Sequence, residues 1–184
     1  VDGMPLHDLA PIPYHQESLN HVCDRIHQIQ EILGQSISVE NISAYMHCID
    51  STMSEAMFFN EVARKTDCGV LVDVNNLYVN EVNLGRQARG FLKEINPRCV
   101  QQFHLGGFHN KFDFLLDAHD HKVSKPVMEL YEEALKLIGT KPTLIEWDHE
   151  LPAFDVLIEE YNKVLALFNQ YELPRSEGNE VMYA

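Results

Sequence analysis

The residues best able to do chemistry crowd into positions 104–121, HLGGFHNKFDFLLDAHDH. The stretch begins with His104 at the end of a predicted strand, Val100-Gln101-Gln102-Phe103-His104, and passes Gly106 and Gly107. It then crosses an apolar run at 112–116, with Asp113 inside it, and closes on Asp117-Ala118-His119-Asp120-His121. Imidazole and carboxylate together are ligands for divalent iron, manganese or zinc. A solvated loop has no need of such a concentration, so the stretch is expected to supply part of a polynuclear metal site.

Other segments end in the same way. Ile37-Ser38-Val39-Glu40-Asn41 reads as a short strand finishing in a carboxylate, and Gly69-Val70-Leu71-Val72-Asp73 as a strongly apolar one, with Asn75 and Asn76 just beyond. Pro142-Thr143-Leu144-Ile145-Glu146 repeats the pattern. One such ending is ordinarily a helix cap or a solvated Glu. A succession at Glu40, Asp73, His104, Asp117 with His119, and Glu146 is not, because caps favour Ser, Thr, Asn and Asp over Glu and His. Several carboxylates brought together repel one another unless cations lie between them. The pattern implies metal, and more than one ion.

The elements that must position these groups alternate. Leu19, Val22, Cys23, Ile26, Ile29 and Leu33 recur at helical spacing over 15–33, and Gly34 closes that helix. Thr52 and Glu55 read as a capping box for a helix to about 65, burying Ala56, Phe59, Val62 and Ala63. A helix is predicted over 84–95, ended by Asn96-Pro97. Another follows Ser124 and Pro126, carries Leu130, Tyr131, Ala134, Leu135 and Ile138, and stops at Gly139. The last, over 153–170, is expected to turn Phe154, Leu157, Ile158, Tyr161, Leu165 and Phe168 inward. Apolar strands alternating with helices imply right-handed crossovers and a parallel sheet. In a parallel barrel the C-terminal strand ends share one face, which carries the chemistry. The organisation expected is one metal-binding domain over 1–173 and a loose tail over 174–184.

Composition narrows the function. A net charge of −14 over 184 residues speaks against a nucleic-acid partner, which needs clustered Lys and Arg. Cys23, Cys48, Cys68 and Cys99 form no CxxC pair, so a thiolate zinc site and a thioredoxin-like motif are unsupported, and a reducing, cytoplasmic setting fits best. No Gly-rich phosphate loop follows a strand, no HExxH occurs, and no apolar run approaches a membrane span.

Val39-Glu40-Asn41, Leu71-Val72-Asp73-Val74-Asn75-Asn76, His104-Leu105-Gly106-Gly107, Asp117-Ala118-His119-Asp120-His121 and Ile145-Glu146-Trp147-Asp148 resemble the signature segments of the multinuclear non-heme iron-dependent oxidases. That family includes the methanobactin, bufferin and thiaglutamate maturation enzymes of bacterial natural-product biosynthesis. More remotely it resembles the xylose-isomerase-like barrels and endonuclease IV. The resemblance implies an α/β TIM (β/α)8 barrel with two or three irons at the strand ends. It implies O2-dependent oxidation of a side chain, usually Cys and sometimes Asp, in a ribosomally made precursor peptide, commonly with a partner protein that binds the leader peptide. Carried over by position, Glu40, Asp73, His104, Asp117, His119 and Glu146 are the implied metal ligands, with Asn76 a weaker one. His121 and Asp148 are candidates for orienting groups close to the reaction. The step expected is oxidation at the Cys β-carbon, followed by cyclisation or carbon excision.

Two departures accompany the resemblance. Family members often carry a histidine four residues after the one matching His104; here Phe108 stands there and His109 follows. The chain begins at Val1 in a proline-punctuated loop, and only the last five βα units of a barrel of about 250 residues are accounted for. The expectation is that earlier units, with two further histidine ligands, precede it in the full protein. The competing readings are a zinc- or manganese-dependent sugar isomerase or phosphodiesterase on the same barrel, and a truncated scaffold without activity.

Overall fold

The computed structural model describes residues 10–172. In chain order the elements are α1 (Gln16–Leu33), β1 (Ser38–Glu40), α2 (Glu55–Thr66), β2 (Gly69–Asp73), α3 (Val74–Leu84) and α4 (Ala88–Glu94). β3 (Val100–Leu105), β4 (Phe108–Asn110), β5 (Leu115–Asp117), α5 (Lys125–Ile138), β6 (Thr143–Ile145) and α6 (Phe154–Tyr171) follow. β1, β2, β3 and β6 form a parallel sheet in that order, with Asp73 in register with His104. Parallel register puts the C-terminal ends of all four strands on one edge of the fold, which is what gathers Glu40, Asp73, His104 and Glu146.

The sheet is held from outside by helices whose apolar stripes were legible in the sequence. Val70, Val72, Val100 and Phe103 are fully buried, with Leu130, Tyr131, Ala134 and Leu135 of α5 in the same cluster. Tyr131 meets Phe103 edge-on at 5.8 Å between ring centroids, and its hydroxyl pairs with Thr143 Oγ1 at 2.9 Å, joining α5 to β6. Removing so central a ring costs about 3–5 kcal/mol. Leu19, Cys23 and Ile26 of α1 pack on Phe58 and Val62 of α2 in a second cluster. Gly34 closes α1 in the left-handed conformation, at φ 66°. The cysteines among the described residues are free, with Cys23 and Cys68 buried. No helix among the described residues is long and apolar enough to cross a membrane.

The structure departs from the sequence expectations at four places. The N-cap of α2 is Ser54, whose Oγ accepts from Met57 N and donates to Glu94 Oε2, while the Thr52 N–H is drawn to the Tyr14 carbonyl. The helix expected over 84–95 is the shorter α4, and a helix not expected precedes it: α3 begins immediately after β2, includes Asn75 and Asn76, and ends at Gly85 (φ 65°). Asparagine is a weak helix former, so VNNLYVNEVNL reads locally as a turn, and its tertiary hydrogen bonds decide otherwise. The strand ending at Asp117 does not join the parallel sheet; β5 pairs antiparallel with β4, so four parallel strands and a hairpin stand where five βα units were expected. Finally, α6 buries Glu160 and Val164, while Phe154 and Tyr161 stay 75% and 53% exposed. Glu160 accepts from Val123 N and Lys163 Nζ, and this rotates the apolar stripe of α6 toward the open edge at β6. There Leu144, Leu157, Ile158, Tyr161 and Phe168 line a groove of about 500 Å³. The tail expected over 174–184 lies outside the described residues.

The hairpin turns off β3 through Gly106 and Gly107, both buried. A Cβ on Gly106 would stand 2.5 Å from His119 Cδ2, and one on Gly107 would collide with the His121 carbonyl. A backbone collision has no side chain to yield, so Gly107→Ala is expected to destabilise the protein by at least about 1–3 kcal/mol. Urea unfolding checks this, and an unchanged midpoint would contradict the close approach.

Candidate metal centre

Asp73 occupies the point where β2 becomes α3. Its carboxylate is wholly buried and serves two ends: Oδ1 accepts from Asn76 N as the helix N-cap, while Oδ2 has no hydrogen-bond partner. Cap and ligand are therefore compatible readings of one side chain. Burial pushes the Asp73 carboxyl well above the ordinary carboxylate range, and nearby Asp117 and Glu40 push the same way. Asn41, also fully buried, locks the segment by accepting from Asp73 N at 2.8 Å and donating Nδ2 to Asp73 O at 3.0 Å.

Each histidine of the set has one nitrogen occupied and the other bare. His104 Nε2 pairs with Gln102 Nε2's amide at 2.8 Å, leaving Nδ1 beside Glu146 Oε1 at 2.9 Å and Glu40 Oε1 at 3.7 Å without hydrogen-bond alignment. His119 Nδ1 pairs with Asp148 Oδ2 at 3.3 Å, leaving buried Nε2 2.9 Å from Asp117 Oδ1, again unaligned. The His119 ring, with its far nitrogen held by a carboxylate and its near one facing another, is set as a metal-ligating imidazole is oriented; the Gln102 amide NH2 donates to His104 Nε2. Glu146, one residue past β6, spans the two: Oε1 faces His104 and Oε2 lies 3.2 Å from His119 Nδ1.

Ligand atoms of Glu40, Asp73, His104 and Glu146 lie within 4.8 Å of one another. Asp117 and His119 form an adjoining group across Glu146, reached by α3: Asn75 Nδ2 donates to Asp117 Oδ1 at 2.8 Å, and Asn76 Nδ2 donates to Asn41 O at 3.0 Å. Both amide oxygens are then buried without partners. Buried polar atoms are almost always hydrogen-bonded. Among the described residues the orphans are Asp73 Oδ2, Asn75 Oδ1, Asn76 Oδ1, His104 Nδ1, His119 Nε2 and Trp147 Nε1, so nearly all belong to this one site. The residues present thus fit divalent cations.

His119 sits at φ 47°, a left-handed conformation that a non-glycine residue rarely adopts. Its N–H donates to Gly107 O, and its carbonyl accepts from Asp148 N at 2.8 Å, so backbone bonds on both sides hold the strain. Burial alone would lower its pKa, but the Asp117, Asp73 and Glu146 carboxylates outweigh it and lift the ring to about 9. Burial raises Glu40, whereas contact with His104 lowers Glu146.

The structure thus brings together Glu40, Asp73, Asn76, His104, Asp117, His119 and Glu146, with Asp148 on the far side of His119. His121 bonds to Asp120 and packs on His109 instead. His47 lines a different cavity, of about 430 Å³, with Tyr14, Glu55 and Arg86. Tyr78 packs on Phe108 at the core margin. Sequence reasoning assigned no role to Asn41, Asn75 or Gln102: the contacts of Asn41 and Asn75 cross elements, with position beside a strand end their only local signal, and Gln102 lies inside β3 two residues from His104.

A parallel sheet whose C-terminal ends converge on buried imidazoles, carboxylates and amides makes this an α/β protein with a candidate metal centre. The same architecture appears in the crystal structure of the IOLI protein with a bound zinc atom, at a TM-score of 0.55 and 15% identity, over 88% of this chain and 62% of that one. The profile of the RiPP precursor modification enzymes MbnB/TglH/ChrH matches residues 1–169, and the chain belongs to that family. Relatives include UPF0276 proteins of Acaryochloris marina, 40% identical over 87% of this chain and 58% of that one, and of Anaeromyxobacter, 40% identical over 94% and 63%. The UPF0276 protein of Chromobacterium violaceum is 40% identical over 88% and 59%. The chain spans about three fifths of the length of these relatives.

Two outcomes follow from the site. Gln102→Ala should lower metal affinity by about 10–100-fold while leaving the fold intact, since Gln102 only steadies His104; competitive chelator titration beside circular dichroism measures both. Folding of the metal-free protein takes up a proton at His119 between its ordinary pKa of 6.5 and about 9. The stability this contributes is complete below 6.5 and lost as pH rises through 9. Bound metal displaces that proton, so with chelator the urea midpoint should fall across this window, and with saturating zinc the fall should vanish. A flat profile in chelator would contradict the coupling.

Proposed function

We propose that the chain carries the strand-end metal centre of an iron- and O2-dependent oxidase acting on a side chain, Cys foremost, of a ribosomally made precursor peptide. The observation that supports it most is the set of buried donors and acceptors without hydrogen-bond partners, gathered where Glu40, Asp73, His104 and Glu146 converge. The membership in a family of RiPP precursor modification enzymes supplies the substrate class. Bound iron(II) with an open position supplies O2 chemistry and favours a coordinated thiolate.

The chain's own residues divide the work. Glu40, Asp73, His104 and Glu146 would hold one ion; Asp117 and the bare Nε2 of His119 would offer ligands to a second, with the buried Asn76 amide oxygen a weaker candidate. Gln102 and Asp148 keep His104 and His119 turned toward them. Asn75 keeps Asp117 in place from α3. A leader-peptide-binding protein completes the proposal as partner, and the cytoplasm as its setting.

An N/O ligand set without thiolate also suits zinc or manganese, and the IOLI protein's bound zinc favours a metal-dependent isomerase or phosphodiesterase as the second reading. Anaerobic purification followed by elemental analysis separates them. The oxidase reading expects iron near two equivalents or more, and O2 consumption with a mass change in a Cys-containing precursor peptide. Glu146→Gln should abolish the mass change. Stoichiometric zinc without iron, and no O2 uptake, would sink it.

A further inference from the structure

A second cluster of metal-capable side chains lies on the hairpin, outside the strand-end ligand set. His109, on β4, holds its Nδ1 3.3 Å from Asp120 Oδ2, and His121 sets its Nδ1 against Oδ1 of the same carboxylate. The two imidazoles stand edge to face across it, with centroids 5.2 Å apart and planes at 80°. One ligand atom from each of the three residues lies within 4.8 Å of the others. Their hydrogen bonds and ion pairs run among themselves, not to Glu40, Asp73, His104 or Glu146.

The backbone fixes this arrangement on both sides. β4 and β5 place His109 opposite Leu116. Gly107 lies directly against the His121 carbonyl, and Gly107 O accepts from His119 N, so the chain entering and leaving Asp120 is pinned to the start of β4. The Asp120 side chain is 13% exposed, while those of His109 and His121 are 41% and 55% exposed. The carboxylate is therefore sunk between two rings at the water boundary. An ion there would meet protein on one side and solvent on the other.

We propose that His109, Asp120 and His121 form a second, half-open site for a single divalent transition-metal ion, separate from the strand-end centre. Two imidazole nitrogens and one carboxylate oxygen suit zinc, cobalt or iron(II) and not magnesium or calcium, which favour all-oxygen shells. The three protein ligands leave coordination positions to water or an incoming ligand. In the metal-free protein the carboxylate accepts from both rings; the ion takes the place of those protons.

The test is zinc binding to chelator-stripped protein, with stoichiometry from elemental analysis after dialysis, repeated with cobalt(II) and its visible ligand-field bands. His109→Ala and Asp120→Asn are each expected to bind one equivalent fewer than the parent protein, and to lose one set of cobalt bands, with unchanged circular dichroism. Glu146→Gln is expected to retain that equivalent. His121→Gln, which keeps a polar side chain of similar reach, should lose it too and serves if His109→Ala unfolds. Unchanged stoichiometry and spectrum in the folded variants would show a hydrogen-bonded triad without metal and overturn the proposal. Loss of the same equivalent in Glu146→Gln would overturn its independence from the strand-end centre.

Discussion

The structure depends on keeping a carboxylate where no water reaches it. Asp73 is fully buried at the end of a central strand, and its Oδ2 has nothing to bond to. An ionised carboxylate in that position is strongly unfavourable unless a cation neutralises it. Glu40, Asp117 and Glu146 crowd around it; beyond burial, Asp117 and Glu40 make Asp73 harder to ionise, and Glu146 and Asp117 do the same to Glu40. His119, lifted to about 9, answers part of that charge with its own proton. The fold therefore stores an unmet demand for positive charge, and the surrounding elements serve to hold that demand in one geometry.

Most of the holding falls to asparagines. Asn41 pairs with both backbone groups of Asp73 as a neighbouring strand would. From α3, Asn80 pins the loop after β1 through Ala44 N and Ile42 O, and Asn83 pins β5 through both backbone groups of Leu115. Asn75 and Asn76 hold Asp117 and Asn41. A carboxamide offers a donor and an acceptor without charge, so it can fasten buried backbone beside anionic ligands without adding to their repulsion. Lysine or arginine in these places would compete with the metal. This explains a helix that local propensity disfavours: α3 exists for what its side chains tie together.

Among the described residues β6 is the last strand of the sheet, and α6, whose Val164 and Phe168 pack on the core, also turns Leu157, Ile158 and Tyr161 to a groove beside it. The relatives are longer than this chain, and the likeness to the IOLI protein also covers about three fifths of that fold. The candidate metal centre nevertheless uses both outer strands of the sheet, because Glu40 is β1's last residue, paired with Leu71, and Glu146 follows β6. Their convergence across two intervening strands is a consequence of sheet twist and parallel register, which bring strand ends together without direct pairing.

Much of the candidate site was legible in the sequence because the residues that converge there obey a local rule. Apolar strands that finish in Glu40, Asp73, His104 and Glu146 are short, strongly patterned segments, and alternation with helices dictates that their ends share a side. The helices over 16–33 and 125–138 were equally plain, since Gly34, Ser124 and Gly139 mark their ends. Tertiary structure alone decided the rest. α3 is stabilised by hydrogen bonds to loops 30 or more positions away, so no window of local sequence contains its reason. The strand to Asp117 left the sheet because Gly106 and Gly107 permit a close approach visible only when His119 and His121 are in place. Within 104–121 the sequence showed one concentration of imidazole and carboxylate. Folding divides it, sending His104, Asp117 and His119 inward to the strand ends while His109, Asp120 and His121 gather on the hairpin, because a tight turn and a left-handed residue reverse which way successive side chains face.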